Sequence, residues 1–170
     1  MTAPKFVKRP AGTTPTSSAE LATKGYADSL VPGAWVDYIP TWTGSVSNPA
    51  IGNGQLAARY RVFGKTVDVA GIMKTGSTTT YGSGDWRFSL PAAAPTAKTI
   101  SFFAALTPSW FGVAQVLDAL NTYRVGVPFV ETGGTRIQFT GSTGNLYNAT
   151  DPQTWANGDA LAWQITYEAA

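Results

Sequence analysis

Residues 66–73 read Thr-Val-Asp-Val-Ala-Gly-Ile-Met, so that Val67, Val69 and Met73 fall on every second position. Successive side chains of a β-strand point to opposite faces, and a period of two therefore predicts a strand with one buried face. The dipeptide Gly64-Lys65 separates this segment from the apolar-polar residues 59–63. Two residues is the length of a tight hairpin loop, here of type II′. The stretch 59–73 thus predicts an antiparallel hairpin.

The same alternation recurs outward from this hairpin, and apolar runs at residues 100–106, 111–117 and 123–130 are further candidate strands. Glycine- and asparagine-rich breaks separate the segments, and eight or nine short strands at this spacing favour an antiparallel β-sandwich or a jelly-roll-like domain. The fold class is all-β. The in-phase residues predicted to form the core are Val67, Val69, Trp86, Phe88, Trp163 and Ile165.

Composition excludes most enzyme mechanisms. The 170 residues include no cysteine and no histidine, which removes disulfides, thiolate chemistry and the commonest general base. Only 13% of residues are charged and the mean hydropathy is −0.04, which is too apolar for a disordered chain. No apolar run reaches the length of a membrane span, and no apolar segment follows the basic N-terminus as a secretory signal requires.

The N-terminal part differs from the rest. Residues 1–16 are rich in proline and threonine, which predicts an extended arm. Residues 17–31 begin with Ser17-Ser18-Ala19-Glu20, the spacing of a capping box, and predict one short helix that Pro32-Gly33 ends. The β-domain is predicted over residues 35–170.

The excess charge also lies in the N-terminal part. Residues 1–30 contain four basic and two acidic side chains, whereas the remaining eight basic and eight acidic side chains cancel. A neutral body argues against nucleic-acid binding, which needs a basic face. The arm is either a solvated tail or an anchor that docks on an acidic partner surface. The candidate anchor residues are Lys5, Phe6, Lys8 and Arg9.

The carboxylates form no recognisable catalytic or metal-binding motif. All ten are scattered along the chain, although a fold could bring two of them to the separation that a glycosidase needs. Asn145, Asn148 and Asp151 come nearest to a calcium loop, but their spacing favours a polar turn. The sequence therefore predicts no catalytic residue, no cofactor and no metal.

Two tryptophans lie in loop-like contexts. Trp110 follows Pro108-Ser109, and Trp155 lies between Pro152 and Asn157. An exposed indole ring stacks well on a sugar ring, so these two residues are the candidate surface-binding aromatics. The other tryptophans in strand segments are in phase with apolar neighbours and are interpreted as core.

Two stretches carry a family resemblance. Residues 21–29, LATKGYADS, resemble a helix near the N-termini of many bacteriophage tail-fibre and head-fibre proteins. Residues 38–90 are similar to a β module of structural proteins of tailed phages, especially those of actinobacterial hosts. The matching segments are Pro40–Thr43, Asn48–Gly54, Arg59-Tyr60, Gly64–Val67, Gly76–Thr80 and Trp86–Pro91.

The resemblance implies a homotrimeric protein of the virion surface, made in the host bacterial cytoplasm and without catalytic activity. On this interpretation the chain is a capsid decoration or head-fibre protein, anchored by its N-terminal segment to major capsid or tail proteins. The helical stripe Ala22, Tyr26 and Leu30 then contacts the other subunits about a three-fold axis, or else the helix packs against the body. About 34 residues precede the β module, which favours a compact protein over a long fibre.

The alternative function is that of a receptor-binding tail-fibre or tail-tip module that recognises a host cell-wall glycan. A third hypothesis, glycan hydrolysis by paired carboxylates, has only the scattered acidic residues in its support. Neither nucleic acid nor a membrane is an expected partner.

Overall fold

The alternating segment at residues 66–73 forms one arm of a long hairpin. In the computed structural model, β3 (Gln55–Phe63) pairs antiparallel with β4 (Thr66–Lys74) over nine residue pairs. Gly64 and Lys65 make the turn, and Gly64 has φ +58°, as the first central residue of a primed turn requires. The predicted hairpin is confirmed.

The structure describes residues 31, 33–98, 110–119, 122–131, 134–141 and 144–170. Within these residues there are nine strands and no helix. The other seven strands are β1 (Val36–Tyr38), β2 (Trp42–Gly44), β5 (Trp86–Ser89), β6 (Gly112–Asp118), β7 (Thr122–Val130), β8 (Arg136–Thr140) and β9 (Ala160–Glu168).

The strands form a curled, wholly antiparallel sheet in the order β1-β3-β4-β9-β6-β7-β8-β5-β2. Strand β7 lies between β6 and β8: residues 122–126 pair with β6, Phe129 forms a further bridge with Phe111 just before β6, and residues 127–130 pair with β8. The all-β, antiparallel prediction is confirmed. The predicted sandwich or jelly roll is not, since the strands form one continuous sheet.

The two edges of this sheet come together. Strands β1 and β2 lie at opposite ends of the strand order, yet only residues 39–41 separate them. Ser89 at the end of β5 contacts both edges: it donates its backbone N–H to the Thr41 carbonyl beside β2 at 3.0 Å, and its own carbonyl accepts from the Tyr38 hydroxyl on β1 at 3.5 Å. Both edge strands are three residues long, and short edges limit unwanted strand pairing.

The curled sheet encloses an aromatic-rich core. Val67, Val69, Trp86 and Phe88 are fully buried, and the core residues Trp163 and Ile165 are 4% and 1% exposed. The ring centroids of Phe88 on β5 and Trp163 on β9 lie 5.2 Å apart, so strands from both halves of the sheet meet in this core. The inward face predicted from the period of two is confirmed.

Three predicted elements lie outside the described residues. They are the extended arm at 1–16, the helix at 17–31 apart from its last residue, and a candidate strand within residues 100–106. None of the described segments is a helix long and apolar enough to cross a membrane.

Candidate functional site

The buried acidic residue of the described chain has a structural role. Asp159 is 1% exposed, and its carboxylate accepts hydrogen bonds from the backbone N–H groups of Ala119 and Ala156, both at 2.8 Å. Gln153 Nε2 donates a third at 3.0 Å. These bonds connect the end of β6 to the loop before β9. A carboxylate held by three donors in this way fixes two chain segments and does not face a second carboxylate.

Two further carboxylates pair with arginines. Glu131 lies between Arg87 and Arg136, with ion-pair distances of 3.3 and 3.7 Å. Asp68 accepts a hydrogen bond from the Thr166 hydroxyl at 2.7 Å and lies 2.9 Å from Arg61 Nε. The Thr166 hydrogen bond, with help from Arg61 and against the opposing effect of burial, lowers the pKa of Asp68.

The segment that resembled a calcium loop folds as a polar turn. Asn148 Oδ1 accepts hydrogen bonds from the backbone N–H groups of Thr150 and Asp151, at 2.8 and 3.1 Å. Asn145 Nδ2 donates to Asp151 Oδ2 at 3.1 Å. Across the part of the chain that the structure describes, no group of three acidic, cysteine or histidine side chains could hold a metal ion.

The buried tyrosines stay protonated at neutral pH. Burial raises the pKa of Tyr38 and of Tyr167 well above the ordinary value for a phenol. Burial, and then the charge of Asp151, raise the pKa of Tyr147 to about 12. None of these phenols is therefore poised to act as a general base.

The unusual surface of the molecule is apolar and lies on the outside of the sheet. Among the described residues, five of the eleven exposed large apolar side chains lie on β6, β7 and the residue before β6, and Ile72 on β4 lies on the same side of the sheet. Their exposed fractions range from 36% to 77%. We call this surface the outer apolar face and define it by Ile72, Phe111, Val113, Tyr123, Val125 and Val127.

Strand register connects these residues into rows across the sheet. Val125 on β7 lies opposite Gln115 on β6, Gln115 opposite Ala162 on β9, and Ala162 opposite Ile72 on β4. In the adjoining row, Val113 on β6 lies opposite Gln164 on β9, and Gln164 lies opposite Ala70 on β4. Val127 on β7 continues this row beside Val113, because the positions on either side of the two valines are paired with each other. The eight outward positions of these two rows on β4, β9, β6 and β7 include no charged side chain, whereas on β3 the second row continues to Arg59, opposite Ala70.

Charged groups begin at the margins of the two rows. The next row towards the end of β9 contains Asp68 and Arg61, paired with each other, and the next row in the other direction contains Lys74. An apolar centre with a polar and charged rim is the usual pattern of a protein interface.

A groove of about 650 Å³ adjoins the outer apolar face. Most of the lining residues are small or apolar, and two are charged, Asp37 and Arg59. The apolar ones include Ala57, Ala70, Ala162, Ile39 and Ile72. Ile39 is 76% exposed. A second groove of about 610 Å³ shares Ile39, Ala57 and Ile72 with the first. The apolar surface therefore extends from β7 to the junction between β1 and β2.

Two of the predicted site residues lie within the described chain. Trp155 is 4% exposed, and its ring centroid lies 5.1 Å from that of Trp86 in the core. Trp110 is partly buried, packs against the core, and donates its Nε1–H to the Lys98 carbonyl at 2.8 Å. The position of Trp155 does not support the hypothesis of an exposed ring. The predicted anchor and trimer residues lie outside the described chain: Lys5, Phe6, Lys8, Arg9, Ala22, Tyr26 and Leu30.

Sequence reasoning missed the outer apolar face, although a signal for it was present. Apart from Gln115 and Arg124, the segments at 111–117 and 123–130 are apolar at inward and outward positions alike. A strand with one solvent-facing side is expected to alternate, whereas a strand that is covered on both sides is apolar throughout. The missing alternation in β6 and β7 marks the face.

One comparison with known proteins gives a match. The chain is 29% identical over 132 residues to a Mu-like prophage FluMu defective tail fiber protein of Haemophilus influenzae. The match covers 77% of this chain and 20% of that protein, so the chain spans about a fifth of the relative's length. No protein-family profile matches the sequence, and no solved structure matches it significantly.

This similarity supports the broader of the two expectations from the sequence, namely that the chain resembles structural proteins of phage virions. It does not single out the actinobacterial type of phage protein that residues 38–90 suggested.

Proposed function

We propose that this chain is a non-enzymatic structural component of a phage virion and that it belongs to a tail fibre. The observation that carries the proposal is the 132-residue similarity to a prophage tail fiber protein. Because that similarity extends over 77% of the chain, it does not depend on one short motif.

The structure is compatible with a role in assembly. The carboxylates of Asp68, Glu131 and Asp159 have hydrogen-bond or ion-pair partners of their own, and the aromatic core is closed around Trp86 and Trp163. The outer apolar face offers a contact surface instead of a reaction site. We extend the proposal to a homotrimer on the virion surface, attached to other virion proteins through Lys5, Phe6, Lys8 and Arg9.

Localisation on purified virions tests the proposal. We expect the protein in the mass spectrum of purified particles and expect gold-labelled antibody at the tail in electron micrographs. Label on the head would contradict the tail-fibre assignment and support a capsid decoration or head fibre. Absence of the protein from purified particles would contradict a virion role.

The anchoring step has a separate test. A variant that lacks residues 2–16 is expected to remain folded, because the core lies in the sheet, and to be lost from particles. The truncation leaves every described strand in place, since the first begins at Val36. The circular dichroism spectrum of the truncated protein should therefore retain its β signal. A truncated protein that joins particles normally would show that the anchor lies elsewhere.

Recognition of a host cell-wall glycan is a second candidate function, and the groove beside Ile39 is the observation that favours it. Ala57→Trp places a large side chain in that groove, while Ala156→Trp adds the same side chain at an exposed loop position outside it. If the groove binds glycan, wall polysaccharide binding by the wild-type protein should be saturable, and only Ala57→Trp should lose it. Equal binding by both variants, or none by the wild type, would contradict this function.

A further inference from the structure

We infer that the outer apolar face is covered by further copies of this chain, so that the oligomer assembles through strands β4, β9, β6 and β7. This inference deepens the proposed assembly function by naming the contact surface. It places the subunit contact on the β-domain, whereas the sequence predicts a contact through the N-terminal helix.

The size of the face requires a partner. Val125 is 77% exposed, Val113 67%, Tyr123 65% and Phe111 60%. With Ile72 and Val127 they expose roughly 700 Å², against about 300–600 Å² for the largest apolar patch of a typical monomer and about 800 Å² per partner in a standard interface. A surface of this size is more favourable when it is covered than when it faces water.

The chemistry of the face fits a second copy better than a charged partner. On β4, β9, β6 and β7 its two central rows contain no charged side chain, so two copies of this part of the face meet without bringing like charges together. The polar groups in these rows are the amides of Gln115 and Gln164, and an amide both donates and accepts hydrogen bonds. Glutamine can therefore pair with glutamine of another copy.

The charge of the whole body points the same way. Residues 31–170 contain eight basic and eight acidic side chains, so copies of the body do not repel each other through a net charge. A basic or acidic partner would find no complementary charge on the central rows. A second copy of this chain satisfies the apolar area, the amides and the charge balance together.

Val125 and Val46 provide a matched pair of variants. Val125 is 77% exposed at the centre of the face, while Val46 is 79% exposed in the loop after β2 and outside the face. A glutamate at either position stays in contact with water in the monomer, so neither substitution should unfold the protein. In the oligomer, Val125→Glu buries a charge without a partner, which is strongly unfavourable.

Sedimentation velocity of the full chain over a hundredfold range of concentration measures the effect. We expect the wild type and Val46→Glu to associate alike, and Val125→Glu to raise the apparent dissociation constant at least about tenfold. Circular dichroism melting curves should show that both variants stay folded. If Val125→Glu does not fold, Val125→Thr keeps a β-branched side chain of similar volume and should weaken association in the same direction.

Three outcomes would overturn the inference. They are a monomeric wild type, a Val125→Glu variant that associates as the wild type does, and association that Tyr26→Glu abolishes while Val125→Glu does not. The last would place the contact in the N-terminal segment. These results are independent of the localisation on virions, since a virion protein can be monomeric and an oligomer can be absent from the particle.

Discussion

Gly71 on β4 lies directly opposite Trp163 on β9, and a β-carbon at position 71 would collide with the benzene part of the indole ring. The ring cannot easily move aside, because its centroid lies 5.2 Å from that of Phe88 and 5.5 Å from that of Phe139. Glycine is therefore required here by the closeness of a neighbouring ring and not by a turn.

Gly71→Ala is expected to lower the free energy of unfolding by about 1–3 kcal/mol, the usual cost of overpacking a core. Trp163→Phe removes the atoms that the new methyl group would meet. The penalty for Gly71→Ala should therefore be smaller in the Trp163→Phe background, with an interaction energy of at least about 0.5 kcal/mol. Urea unfolding of the four proteins measures this cycle. Equal penalties in both backgrounds would show that the indole is not the obstacle.

The role of Gly71 illustrates what the sequence could and could not predict. Its position in phase with Val67 and Val69 places it on the inward face, as expected from the period of two. The reason for a glycine at that position depends on Trp163, which is far away in the sequence. Local alternation identifies a strand and its buried face but not its neighbours.

The strand order could not be predicted for the same reason. Residues 123–130 are an apolar run that predicts one strand, but the run does not reveal that β6 and β8 lie on its two sides. Without the strand order, local sequence could not distinguish the expected sandwich from a single curled sheet. The residues that flank Trp155 are typical of a loop, whereas its ring packs on Trp86, a contact that local sequence does not reveal.

Asp159 should be important for stability. Asp159→Ala leaves the buried Gln153 Nε2 and the part-buried N–H groups of Ala119 and Ala156 without their acceptor, and an unsatisfied buried donor costs about 1–3 kcal/mol. We expect a decrease of at least about 2 kcal/mol in the free energy of unfolding, measured in urea. Asp37, exposed on β1, is the control, and Asp37→Ala should change stability by no more than about 0.5 kcal/mol. Similar effects for both variants would contradict the structural role of Asp159.

Asp68 should contribute a pH-dependent increment of stability. The Thr166 hydroxyl, and to a lesser degree Arg61, hold its pKa below the ordinary value, so the folded state favours the carboxylate. A lowered pKa contributes stability above the unfolded-state pKa of about 4, and this contribution is lost as the pH falls through the folded-state pKa.

Asp68→Asn should therefore be less stable than the wild type at pH 7, by up to about 1 kcal/mol because the pair is partly exposed to solvent. The two unfolding free energies should converge as the pH is lowered from about 5 to about 2. Urea titrations at several pH values measure the difference. A difference that stays constant over this range would exclude the ionised carboxylate as its origin.

Truncation of Trp86 should destabilise the core severely. The side chain is fully buried, its ring lies 4.8 Å from that of Trp42 and 5.1 Å from that of Trp155, and its Nε1–H donates to the Tyr81 carbonyl at 3.0 Å. Trp86→Ala is expected to cost about 3–5 kcal/mol, which is enough to unfold a marginally stable domain.

Asp85→Ala, at the position just before Trp86, is the control and should change stability by no more than about 0.5 kcal/mol. Circular dichroism and tryptophan fluorescence measure both variants. A Trp86→Ala protein that folds normally but no longer binds host cells would make Trp86 a receptor contact and contradict its place in the core.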